Sequence, residues 1–172
     1  DISLSEEQEL LRNSVREFVR SESSLANVRE WEESEIGFSR DIWEKISKLG
    51  WNGILIPTQY GGSGATLMDA AIVSEEIGWA LLPTPFHSSA ILSALILLAD
   101  DGGKPHSHLL GQIANGSQIV TLAFTEEWYD WTPNSVTLTA SVVDGDFVLN
   151  GVKLFIPDAQ AADFLICAAR IV

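Results

Sequence analysis

Few residues in this chain have the types and spacing that chemistry requires. Gly61, Gly62 and Gly64 precede a helical pattern, and a glycine-rich loop in that place can cradle phosphate with its backbone N–H groups. The loop lacks the lysine of a P-loop and the strand-to-helix context of a dinucleotide fingerprint. A helix-to-helix connector is therefore the expected reading. His106 and His108 are two residues apart and do not share a helix face, which argues against a metal pair. His87 falls in the first turn of an apolar helix, where an ordinary polar residue is expected rather than a pocket base. Cys167 is the single cysteine, so no internal disulfide is possible, and its apolar strand suggests a buried, inert thiol. Glu30, Glu32, Glu33 and Glu35 read as a solvated face.

The elements that must position such residues follow from composition and period. The 172 residues are 46% hydrophobic and 20% charged, which is enough to bury a core. A formal net charge of −14 disfavours nucleic acid and anionic membranes as partners, while leaving room for an anionic ligand at a local basic patch. No secretory signal is evident, and the apolar stretch around Ala94 to Ala99 is too short to span a bilayer, so a cytoplasmic protein is expected. The chain begins at Asp1 without a methionine, as a processed protein or part of a longer one would.

Ser5 and Gln8 have capping-box spacing, and Leu11, Val15, Phe18 and Val19 then recur at helical period. Ser39 is expected to cap a second helix with Ile42, Trp43, Ile46 and Leu49 inward and Gly50 at its end. Thr66 with Asp69 caps a third, running through Glu75, Glu76 and Trp79. Thr84 and Pro85 suit the N-cap and first position of a helix to Ala99 that is apolar nearly all round, hence buried on every side in a core or under a subunit interface. A shorter helix is expected over Ser107 to Ala114.

After Gly116 the period changes to two. Ile119 to Phe124, then Val136, Leu138, Ala140 and Val142, read as strands, and Asp144-Gly145-Asp146 is a hairpin signal. Phe147, Leu149, Val152, Leu154 and Ile156 continue the pattern, and a last strand runs from Asp163 to Val172. The expected class is α+β: an all-α domain over residues 1–116, then the first part of an antiparallel β-domain over 117–172.

Three stretches carry a family resemblance. "GWNGILIPTQYGGSGATLMDAAIVSEEIG" resembles the N-terminal helical domain of the acyl-CoA dehydrogenases, at Gly50, Gly53, Pro57, Tyr60, Gly61, Gly62, Gly64, Glu75, Glu76 and Gly78. "LAFTEE" resembles that family's A-x-T-E-P strand, and "DGDFVLNGVKLFIPDAQAADFLICAAR" its L-N-G-x-K segment and the strand beyond. The resemblance implies a helical domain, a middle β-domain and a C-terminal helical domain, with FAD held between the last two. It implies an acyl-CoA substrate, an oligomer with like or unlike subunits, and electron-transfer flavoprotein as an electron partner. The family's catalytic glutamate belongs to the C-terminal domain, which this chain is expected to lack, so no catalytic base is assigned. Glu75 and Glu76 are expected to be structural.

The resemblance also implies flavin-side residues. Phe124 and Thr125 lie where relatives hydrogen-bond the flavin, and Phe155 takes the aromatic position beside its ring. Pro157 stands where a Thr or Ser usually donates a hydroxyl to flavin N5; proline offers neither hydroxyl nor N–H. One such lost bond typically costs about 0.5–1.5 kcal/mol. The family's small glycine-rich segment after T-E-P is replaced by "EWYDWTPNS", so Trp131 joins the cofactor-side candidates, lining an apolar pocket or packing on a neighbour. Phe86 and Ser89, at the start of the apolar helix, would border the acyl group. The leading expectation is a subunit of a FAD-dependent acyl-CoA dehydrogenase, divergent at its flavin contacts, as in α2β2 members acting on bulky or steroid-like thioesters. The alternatives are a flavin-dependent monooxygenase on the same scaffold and a non-catalytic interface subunit.

Overall fold

The computed structural model describes residues 3–171, so Val172, the expected end of the last strand, lies outside them. Helices come first and strands follow. α1 (Glu6–Glu22) begins at a reciprocal Ser5–Gln8 capping box, and the Gln8 amide also reaches Asp69 Oδ1 at 3.2 Å. Val15 and Val19 are fully buried, with Leu11 and Phe18 packed around them. α2 (Leu25–Glu32), capped by Ser24, was not expected, because none of its residues is buried and its period is faint. Glu30, Glu32, Glu33 and Glu35 are exposed. α3 (Arg40–Lys48) buries Ile42, Trp43 and Ile46, and the Trp43 indole donates to Gly116 O at 2.9 Å. Leu49, expected inward, is 48% exposed, because it is the C-cap residue and the chain turns away at Gly50, whose φ is 79°.

α4 (Leu67–Trp79) starts at the Thr66–Asp69 capping box and packs along α1. Glu76 lies within that contact, 1% exposed, and both of its oxygens accept from the Arg16 guanidinium, at 2.5 and 2.8 Å. A buried carboxylate without its partner is strongly destabilising, whereas an exposed pair contributes little. Arg16→Ala should therefore lower the urea midpoint much more than Lys45→Ala, which breaks the exposed Lys45–Glu22 pair.

The loop from Pro57 to Ala65 packs backbone on backbone. Its amides are spent internally: Gly61 N to Thr58 O, Gly62 N to Pro57 O, Ser63 N to Gly53 O, Gly64 N to Ile56 O and Ala65 N to Ile54 O. With these N–H groups engaged, the loop is a connector and offers no phosphate cradle.

The apolar helix differs from its expected form. Residues Phe86–Ser93 wind as a π-helix that continues into α5 (Ala94–Ala99). Pro85 takes the N-cap position, and Thr84 Oγ1 is buried without a partner, since the wide first turn displaces the amides it would cap. Ala90, Ala94 and Leu97 are buried but Leu95 is 43% exposed, so in this chain the helix is not covered on every side. α6 (Ser107–Ala114) follows, with Leu110 and Ile113 fully buried. No helix of the described residues is long and apolar enough to cross a membrane.

The strand pairing departs from a meander. β1 (Val120–Ala123) pairs in parallel with β4 (Phe164–Cys167); β2 (Thr139–Val143) pairs antiparallel with β3 (Asp146–Leu149) and in parallel with β5 (Arg170–Ile171). Among the described residues only the β2–β3 hairpin is antiparallel, and Asp144 and Gly145 have φ of 53° and 92°, as a type I′ turn requires. The β1–β4 register is set by a two-way clamp: Ile119 N donates to the Asp163 carboxylate at 2.7 Å, and Asp163 N donates back to Ile119 O at 2.8 Å. Residues 152–156, expected as strand, form none; the Leu154 amide donates to Thr125 O instead of to a ladder. β1 packs against the π-helix, and Ile119 and Val120 complete the two helical core clusters.

Candidate functional site

The end of β1 and the stretch after β3 come side by side. Leu154 N donates to Thr125 O at 2.8 Å, and Lys153 Nζ reaches Phe124 O at 3.1 Å. Thr121 Oγ1, at the centre of β1, donates to Pro157 O at 2.7 Å. The structure thus gathers Phe124, Thr125, Phe155 and Pro157. Trp131 joins them by stacking on Phe124, with ring centroids 5.7 Å apart and planes 18° apart. Tyr129 packs on Phe155 at 5.6 Å.

This aromatic face is open. Trp128, Trp131 and Phe155 are 78%, 67% and 77% exposed. Beside it lies a cleft of about 210 Å³ lined by Glu126, Glu127, Trp128, Thr137 and Val152. Tyr129, Phe155 and Asp158 have φ of 51°, 49° and 51°, left-handed conformations that cost a non-glycine residue about 1–3 kcal/mol each. Bulky aromatic residues rarely adopt them, and their clustering marks a held segment.

Phe86 and Ser89 are placed differently. Both belong to the π-helix behind β1, 2% and 0% exposed, and Ser89 Oγ accepts from Val120 N at 3.1 Å. They are not exposed on the aromatic face. His87 is exposed at the helix start. Cys167, expected buried, is half-buried, its strand β4 pairing with β1 alone among the described residues. His106 Nε2 lies 2.9 Å from Asp100 Oδ2, and no group of three or more metal-ligating side chains gathers among the described residues.

Two residues that hold the site together went unassigned from sequence. Glu126 is 8% exposed, and its carboxylate accepts from Lys153 Nζ at 2.7 Å, Thr137 N at 2.9 Å, Leu138 N at 3.0 Å and the Thr137 hydroxyl. The Lys153 ammonium, then the Thr137 hydroxyl and the backbone donors, outweigh desolvation and hold the Glu126 pKa down to about 2. Arg170 spans the other end of the loop, donating to Val136 O at 2.5 Å and to Pro133 O at 3.1 Å. The signal for the first was present in two of the matched motifs, T-E and L-N-G-x-K, whose charged residues pair across 27 positions.

A flavin needs a flat apolar face and donors at its ring edge. The stacked and tilted rings fit the first requirement. Pro157 does not fit the second: it has no N–H, and its carbonyl already accepts from Thr121. At Pro157 the segment therefore offers no donor to a flavin edge.

Comparison with known proteins extends the geometry. The family model for the acyl-CoA dehydrogenase N-terminal domain matches residues 5–116. The acyl-CoA dehydrogenase IpdE2 of Mycolicibacterium smegmatis is 37% identical over 126 residues, 73% of this chain and 39% of that protein. Among solved structures, the ChsE4-ChsE5 complex from Mycobacterium tuberculosis superimposes with a TM-score of 0.82 at 26% identity, over 99% of this chain and 44% of that one. The Tcur3481-Tcur3483 steroid ACAD G363A variant does so with a TM-score of 0.83 at 24% identity, over 98% of this chain and 46% of that one. The chain therefore spans less than half the length of these relatives.

Proposed function

The chain belongs to the acyl-CoA dehydrogenase family, and from that premise we propose that it serves as the divergent subunit of a FAD-dependent acyl-CoA dehydrogenase, paired with a second, catalytic chain of the same family. The observation that carries this reading is Pro157, which replaces a donor on the flavin-facing segment and whose carbonyl is already bonded within the chain. The exposed rings of Trp128, Tyr129 and Trp131 add to it, since they stand where the family resemblance implies a small, glycine-rich segment that allows close approach. The assembled enzyme removes hydrogens from the α and β carbons of an acyl-CoA thioester. FAD, held chiefly by the partner chain, supplies the hydride acceptor, and electron-transfer flavoprotein takes the electrons onward. This chain supplies the interface and one wall of the site.

An α2β2 arrangement is consistent with the two-chain ChsE4-ChsE5 relative. A bulky or steroid-like thioester is the substrate class we propose. One neighbour bears the name steroid ACAD, and that likeness is one of fold. Absorbance of the purified full-length protein tests the reading. Expressed alone it should be colourless, and co-expressed with a family chain that retains the donor residue it should be yellow and bleach anaerobically on addition of acyl-CoA. A yellow protein in isolation, bleached by acyl-CoA, would refute the divergent-partner role.

A further inference from the structure

The helical unit and the site segment meet at three serines. Ser88, Ser89 and Ser93 of the π-helix are each at most 1% exposed. A π-helix closes its hydrogen bonds on the fifth residue, which stacks Ser93 over Ser88; Ser93 Oγ lies 2.7 Å from Ser88 O and 2.9 Å from Val120 O. Ser89 Oγ receives Val120 N. Ser88 Oγ lies 2.5 Å from Asp158 Oδ2 and 3.2 Å from Pro85 O. A hydroxyl has one proton, and the carboxylate is the stronger acceptor, so the Ser88 proton goes to Asp158.

Asp158 follows Pro157 and is one of the left-handed residues of the site, with φ of 51°. Pro157 is itself held by Thr121, which is fully buried in β1. The strained turn from Phe155 to Asp158 is thus tied down at two adjacent residues, one bond from β1 and one from the π-helix. Without these two bonds Phe155 and Asp158 would relax out of the left-handed region. We propose that Ser88 and Asp158 are positioning residues: through their hydrogen bond the π-helix fixes the Phe155–Asp158 turn, and with it the Phe155 ring, against the site. The inference rests on the reading of that face as one wall of the flavin site.

Hydrogen exchange on the full-length protein in its assembly tests this, with flavin absorbance as the second readout. Ser88→Ala and Asp158→Ala should speed exchange over residues 153–162 about tenfold or more, the worth of a hydrogen bond to a charged group, and leave α1 and α4 unchanged. Both variants should shift the flavin absorption maximum. Asp158→Asn keeps an acceptor oxygen for Ser88 and should restore both readouts. Unchanged exchange, acceleration spread over the whole chain, or a loosened turn with an unmoved flavin band would each overturn the proposal. Absence of flavin from the wild-type assembly would instead overturn the functional reading, and the exchange result would still decide whether Ser88 holds the turn.

Discussion

Lys153→Ala should destabilise the protein by about 3–5 kcal/mol, the cost of leaving one member of a buried ion pair without its partner. The Lys153 side chain is 5% exposed and that of Glu126 is 9% exposed, so water replaces little of what is lost. The remaining donors on Glu126, from Thr137 and Leu138, keep the carboxylate ionised and place the effect toward the lower end of that range. The pH dependence follows from the lowered pKa. Glu126 titrates near 2 in the folded chain against an ordinary 4.5, so its stabilisation is complete above about 4.5 and is lost as pH falls toward 2. Wild type should lose stability through that window. Lys153→Ala should show a shallower slope there, because its folded-state pKa lies closer to the ordinary value. Urea denaturation at pH 7, 4.5 and 3 measures both effects. Equal slopes for the two proteins would contradict the pairing.

Gly62→Ala should cost about 3 kcal/mol, the upper end for overpacking. A Cβ on Gly62 would stand 2.0 Å from Ile56 O and 2.5 Å from Gly53 O, and both obstacles are backbone that already accepts the amides of Gly64 and Ser63. Relief requires opening that loop. Gly61→Ala is the contrasting case: its φ is 86°, yet nothing lies within 4 Å of the added methyl, so only the left-handed strain of about 1–2 kcal/mol applies. Denaturation midpoints of the two variants should differ in that order. A Gly61 variant as unstable as the Gly62 variant would show that φ, and not close approach, governs the loop.

Local chemistry made much of the fold legible. The capping boxes at Ser5–Gln8 and Thr66–Asp69, the Ser39 cap and the Asp144-Gly145 turn each depend on residues within four positions of one another, and each formed as read. What escaped depends on distant partners. The alternation of Val152, Leu154 and Ile156 is that of a strand, but the backbone there is claimed by Thr125, and no ladder forms. The parallel β1–β4 pairing rests on Asp163 meeting Ile119, 44 residues away. The π-winding of Phe86–Ser93 has no period of its own in the sequence. It brings Ser88, Ser89 and Ser93 to distant partners, Val120 and Asp158.

The site shows the same division. Phe124, Thr125, Phe155 and Pro157, singled out by motif position, meet in space. Trp131 lies in the loop after β1, and its stacking on Phe124 depends on the tertiary arrangement. Glu126, Lys153, Ser88 and Asp158 were visible as letters but not as pairs, because a buried hydrogen bond across 27 or 70 residues leaves no spacing signature.

On the proposed reading, the flavin of the assembly belongs to a partner chain, because this chain's own segment cannot donate at Pro157. The flavin-to-chain ratio of the purified full-length assembly, from flavin absorbance and quantitative peptide counting, tests it most directly. One flavin for each pair of unlike chains is the expected result. A homo-oligomer of this chain carrying one flavin per copy would contradict it.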